Sequence, residues 1–130
     1  MKTGTILNPD LCEAIASMGH TDMLCVADAG LPIPDDVWRI DLALTKGIPT
    51  FLDTLRVILT DFRPQEVIVA EEMAKVSPAM LEQVKAVLGN VPFRMVPHTD
   101  FKEMTHDVKA VVRTGEFTPY CNLILVAAGF

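Results

Sequence analysis

Few side chains in this sequence can move protons near neutral pH, and three of them are His20, His98 and His106. His20 lies in Gly19-His20-Thr21-Asp22, just before the apolar run Met23–Ala27. A histidine flanked by glycine and small polar residues belongs to a turn, not to an apolar helix face. It is either an imidazole free to trade protons or a structural turn residue, and position alone leaves both open. Asp28 closes the same run and precedes the loop Ala29-Gly30-Leu31-Pro32-Ile33-Pro34. A carboxylate there binds ligand hydroxyls or caps loop backbone, and its spacing slightly favours the cap. His98 follows the run Phe93–Val96 and faces either a ligand or the start of the next helix. His106, in Lys102-Glu103-Met104-Thr105-His106-Asp107, reads as a solvated helix face. Glu71 and Glu72 could act as bases, but adjacent carboxylates opening a helix are equally explained by the helix dipole.

Several chemistries lack their residues. No GxGxxG or GxxxxGK[ST] follows a strand, and no G-x-S-x-G elbow is present. The scattered histidines have no HxxxH or HExxH spacing and lack carboxylate partners at suitable spacing, so a metal site is not expected. Between Gly19 and Pro34 there is no Lys or Arg. A ligand of that loop is therefore expected to be a neutral polyol, because phosphate wants cationic partners. Net charge is −6 and pI about 4.9, which argues against nucleic acid and anionic membrane as partners. Cys12, Cys25 and Cys121 form no CxxC and read as small buried thiols in a reducing cytoplasm.

These residues need a scaffold, and 130 residues suffice for one domain spanning 1–130. No apolar run reaches the ~18 residues needed to span a bilayer, and the opening Met1–Thr5 lacks the apolar stretch of a secretory signal. Asn8-Pro9 predicts a helix start, with Leu11, Ala14, Ile15 and Met18 on one face and Gly19 as the stop. Met23–Ala27, Val67–Ala70 and Phe93–Val96 are continuous apolar runs, as expected of strands covered on both faces. Ile40–Leu44, Ala110–Val112 and Leu123–Ala127 predict further strands. Pro49–Leu59 and the segment from Ser77-Pro78 to Leu88 predict helices, and Thr99 or Asp100 is expected to cap a short helix reaching about Asp107. The alternation predicts an α/β fold: one three-layer domain with a mostly parallel sheet covered by helices on both faces. The tail Asn122–Phe130 is apolar enough to be buried in the sheet or an interface. Mean hydropathy of +0.32 is high for so small a domain, so sister subunits are expected to cover part of its surface.

Gly19-His20-Thr21-Asp22, Asp28–Pro34 and Arg113-Thr114-Gly115-Glu116-Phe117-Thr118-Pro119-Tyr120-Cys121-Asn122 together resemble the D-ribose pyranase family of sugar mutarotases. Leu7-Asn8, Arg39–Leu44, and His98 followed by Phe101-Lys102 add to the likeness, which runs over essentially the whole chain. The resemblance implies a cytoplasmic isomerase of ribose catabolism that interconverts pyranose and furanose forms of free D-ribose without a cofactor. It also implies a ring-like homodecamer with the sugar bound near subunit contacts. Carried over by position, His20 matches the family's proton donor, and Asp28, His98, Tyr120 and Asn122 match its sugar-binding residues. Cys121 stands where a small residue such as Ala is expected, and the tail Val126–Phe130 is slightly short. Two alternatives are a fucose mutarotase and a non-catalytic sugar-binding accessory of a transport system. Asp28-Ala29-Gly30-Leu31-Pro32, where the fucose relatives are expected to read Asp-Ala-His-Phe-Pro, favours ribose. Simple binding needs no group titrating near pH 7, so His20 argues against the accessory.

Overall fold

The structure is a computed structural model that describes residues 1–129. A six-stranded sheet has the order β2-β5-β1-β6-β3-β4, built from β1 (Met23–Ala27), β2 (Trp38–Asp41), β3 (Pro64–Ala70), β4 (Phe93–Val96), β5 (Ala110–Arg113) and β6 (Leu123–Ala127). All neighbours are parallel except β6, which runs antiparallel to both β1 and β3. The cause is chain length. Only residues 114–122 join β5 to β6, and a parallel return needs a crossover of about a dozen residues or more.

Alternation along the strands divides the core in two. Leu24, Val26, Val67, Val69, Leu123 and Leu125 pack with helices α1 (Pro9–Ala16), α2 (Phe51–Leu59), α3 (Glu71–Val76) and α4 (Pro78–Leu88). Cys25, Ala27, Ile68, Val111 and Ile124 face the other way, onto Phe101 of α5 (His98–Met104), Leu31 and Val108. This is the expected three-layer α/β domain. β6 is buried at every position and lies inside the sheet, which is where the apolar tail goes; Phe130 lies outside the described residues.

Local chemistry explains the boundaries. Asn8 Oδ1 accepts the Leu11 amide at 2.9 Å, capping α1. That helix stops at Ala16, short of Gly19, because the Ser17 hydroxyl takes the Ala14 carbonyl at 2.8 Å. β2 is Trp38–Asp41 rather than the expected Ile40–Leu44. Asp41 Oδ1 accepts the Ala43 amide at 3.1 Å, turning the chain out of the sheet. α2 begins at Phe51, after the Thr50 hydroxyl caps Asp53 N at 3.1 Å. Neither Thr99 nor Asp100 caps α5. The helix starts at His98, whose amide donates to both oxygens of Glu72 at 3.1 and 3.2 Å. Beyond Met104 the chain continues as a 3₁₀ turn, Thr105–Asp107. Of the three thiols, Cys25 and Cys121 are buried and Cys12 is half-buried.

Candidate active site

Open α/β sheets collect ligands outside the carboxyl ends of their parallel strands. A cleft of about 720 Å³ opens there, beyond the ends of β1 and β5 and the start of β6. Asp28, His98, Tyr120 and Asn122 all line it.

Asp28 and Asn122 are bound to each other reciprocally. Asn122 Oδ1 accepts the Asp28 amide at 2.8 Å, and Asn122 Nδ2 donates to Asp28 Oδ2 at 3.3 Å. The other carboxylate oxygen accepts the amides of Gly30 and Leu31 at 3.0 and 2.8 Å. Asp28 therefore caps its loop and lines the cleft at once, so the two readings of this residue do not compete. Burial pushes its carboxyl above the ordinary value. The donors at Gly30, Leu31 and Asn122 and the neighbouring His98 act in the opposite direction.

The Tyr120 ring meets His98 edge-on with centroids 4.9 Å apart, and His98 stacks on Phe101 at 6.3 Å. His98 Nδ1 is buried without a hydrogen-bond partner among the described residues. Tyr120 has φ +57, a conformation that bulky residues seldom adopt outside tight turns. The segment around it is tied down from three directions. Pro119 O accepts from the Ser77 hydroxyl at 2.7 Å, Thr118 donates to Glu116 Oε2 at 2.8 Å, and Glu116 Oε1 accepts the first amide of α2, that of Phe51, at 3.0 Å. Arg113 links the Asp28 loop to β2, donating to Ala29 O at 3.0 Å and to Asp41 at 3.1 and 3.2 Å.

Reading by residue type missed this framework. Glu116 and Arg113 lay in the motif that carried the family likeness, but single-sequence spacing could not show which helix or loop each would meet. Glu72 proves to brace the helix that carries His98. Ser77 opens α4 in sequence, yet its hydroxyl turns to Pro119. The loop 19–34 lacks cations, whereas the assembled cleft wall includes Arg113 and Lys46. Arg113 is occupied by Asp41 and Ala29; the Lys46 amine lies 5.2 Å from the centre of the exposed Phe117 ring.

His20 is elsewhere. It precedes β1, at the end of the sheet opposite the cleft, where Thr21 N donates to Ala127 O at 3.0 Å. β1 alone separates it from Asp28 by roughly 17 Å of strand. Its exposed ring lies 3.0 Å from Gln65 Oε1 through Nε2. His106 is solvated as expected, half-exposed and 3.8 Å from Asp36. Among the described residues no cluster of His, Cys, Asp and Glu is arranged to hold a metal ion, and no helix is long and apolar enough to cross a membrane.

Fold and cleft thus define a small α/β protein whose pocket sets a few paired donors and acceptors among apolar walls, an arrangement that suits a ligand bearing hydroxyl groups. The chain belongs to the RbsD / FucU transport protein family, whose model matches residues 1–129. It is 55% identical over 125 residues to the D-ribose pyranase of Coprothermobacter proteolyticus, covering 96% of this chain and 95% of that one. It is 49% identical to the D-ribose pyranase of Clostridium novyi over the same shares. The solved structure of Bacillus subtilis RbsD complexed with D-ribose superposes with a TM-score of 0.97 at 42% identity, covering 100% of this chain and 99% of that one. A fucose mutarotase from Streptococcus pneumoniae, solved with L-fucose, reaches 0.72 at 22% identity over 95% and 94% of the two chains, a likeness of fold alone.

Proposed function

We propose that this protein interconverts the pyranose and furanose forms of free D-ribose. The observation that carries the reading is the near-identical backbone of a relative solved with D-ribose, around a cleft that here presents Asp28, His98, Tyr120 and Asn122. The far weaker identity to the fucose mutarotase sets that substrate second.

The reaction is a proton exchange around one bond. A proton reaches the ring oxygen as the C1 hydroxyl loses one, and the bond between C1 and the ring oxygen breaks to give the open aldehyde. Rotation and closure through a different hydroxyl complete the exchange, with no net gain or loss of atoms. Asp28 and Asn122 hold hydroxyls, while His98 and Tyr120 wall the sugar and restrict the open chain, an orientation effect. Charge changes little, so positioned acid–base groups suffice and no cofactor is called for.

His20 is the proton donor in this reading, and it cannot reach the cleft of its own chain. A second copy supplies it, so the active unit is a homo-oligomer, a ring-like decamer in the cytoplasm. The exposed Leu44 and Phe117 at the cleft mouth, 79% and 60% accessible, support coverage by a neighbour. Exchange NMR of free ribose tests the activity: the protein should broaden the anomeric signals of ribose more than those of fucose or ribose 5-phosphate. Unchanged ribose signals would end the proposal. Light scattering should find a large assembly; a 14 kDa species at micromolar concentration would refute the shared site. Mixing inactive His20→Ala with inactive Asn122→Ala subunits should restore part of the rate, because some clefts then receive both intact residues.

A further inference from the structure

We infer that Gln65 is a positioning residue for His20: it engages ring nitrogen Nε2 and so dedicates Nδ1 to proton exchange with the sugar. The inference rests on the reading of His20 given above. Gln65 comes from β3, distant in sequence and brought beside His20 by the β3–β6 pairing that runs to Pro64 and Ala127. Its Oε1 lies 3.0 Å from His20 Nε2. No described residue hydrogen-bonds Nδ1. Gly129 packs against the ring, where a Cβ would make ordinary van der Waals contact at 3.4 Å from Cγ, 3.5 Å from Cδ2 and 3.6 Å from Nδ1.

The backbone beneath the ring is held as firmly. Asp22 Oδ2 accepts the Gly19 amide at 2.8 Å, and the Asp22 amide donates back to Gly19 O at 3.0 Å. Asp22 O accepts Ala127 N at 2.8 Å, tying the turn to β6. Thr21 is forced to φ +70. A β-branched residue is rarely held there unless surrounding structure over-determines it. A turn built this tightly fixes where the imidazole starts, and Gln65 fixes its rotation.

The assignment of nitrogens follows from the proton cycle. An Nε2–H donates to the amide oxygen of Gln65 whether the ring is neutral or charged. The bond then survives each turnover while the proton comes and goes at Nδ1. If Nε2 were the exchanging nitrogen, this contact would be broken every cycle. In the charged ring, Nδ1–H passes its proton to the sugar ring oxygen, leaving the neutral Nε2–H tautomer. Nδ1 then recovers the proton released by the C1 hydroxyl. The charged groups around this turn are Asp22, paired to Lys109 at 3.8 Å, and Arg63, which donates to Gly129 O. None of them bonds to the ring.

Solid-state ¹⁵N spectra of the intact, histidine-labelled protein read the tautomer at any assembly size, with His20 assigned by its loss in His20→Ala. The neutral His20 ring should be Nε2–H in the wild type. Gln65→Met, similar in length but without an acceptor, should mix the tautomers and lower kcat about 10- to 100-fold at little-changed KM, the cost of lost orientation. Gln65→Glu should keep the tautomer and rescue kcat. Its carboxylate should move the imidazole limb of the pH–rate profile upward, since a nearby negative charge favours the charged ring. A wild-type Nδ1–H tautomer, or wild-type kcat and tautomer in Gln65→Met, would overturn the inference. Should Gln65→Met fail to assemble, the wild-type tautomer and the Gln65→Glu profile decide it. Ring exchange that persists in His20→Ala would instead remove the reading on which the inference rests.

Discussion

The two ends of the sheet are built differently. At the carboxyl end, polar groups from β1, α2, α4 and β6 interlock: Asn122 is 1% exposed and bonded both ways to Asp28, and Glu116 reaches across to the first amide of α2. At the other end one exposed imidazole stands on a tight turn with a single side-chain partner, Gln65. A wall that must hold hydroxyls gains from rigidity, because every buried donor or acceptor left unpaired is costly. A group that must meet another surface gains from exposure and a fixed backbone. On the proposed reading, the residues that hold the sugar come from one chain, and the proton donor faces outward toward another.

The largest separation of the two ends should come from His20→Ala. Ring exchange should slow by about 10²–10⁴-fold, with ribose binding retained by isothermal titration and with His106→Ala silent. Equal losses in both variants would erase the distinction between the ends. Asn122→Ala should show the opposite signature. It strips partners from the Asp28 amide and carboxylate, so ribose binding should weaken and urea unfolding should lose about 1–3 kcal/mol. Unchanged stability would show that the cleft framework is not interlocked.

A smaller effect concerns pH. The folded protein raises the Asp28 carboxyl above its unfolded value near 3.8. Between those two values the folded state binds more protons than the unfolded, so this group favours folding at the acid side and loses that contribution as pH rises through the folded value. The stability of the wild type relative to Asp28→Asn should therefore improve as pH falls toward 4, read from urea midpoints across that range. A wild type that loses stability relative to Asp28→Asn on acidification would mean that the hydrogen bonds at Asp28 outweigh its burial. The mildest probe is thiol labelling at neutral pH. Burial drives the Cys25 and Cys121 thiols far above their ordinary value, so both should resist iodoacetamide until urea is added. Fast labelling of Cys121 in the native protein would show that the segment carrying Tyr120 and Asn122 opens.

Much of the molecule was legible in residue order. Apolar runs of strand length, Asn8-Pro9 before a helical stripe, and Ser77-Pro78 at the start of α4 each obey local stereochemistry, and the elements formed where those signals lay. Asp28 at the end of an apolar run is also a local signal, because strand ends are where ligands and loop caps both occur. The boundaries that shifted did so where a side chain found another partner. Asp41 turned the chain out of β2, Ser17 cut α1 short, and Glu72 displaced the expected cap of α5.

What sequence alone determined was the inventory: an acidic α/β chain with a histidine turn and a Tyr120–Asn122 ending, similar to sugar mutarotases. Only the tertiary structure decided who meets whom. The short link between β5 and β6 forces β6 to run backward between β1 and β3, since it cannot hold a parallel crossover. That reversal carries Asn122 to Asp28 at one end of the sheet and Ala127 to the His20 turn at the other. It also sets Gln65 beside His20 through the neighbouring strand. Contacts between residues so far apart in sequence leave no mark in local spacing, because hydrogen bonds and packing act through space and only the sheet order brings their partners within reach.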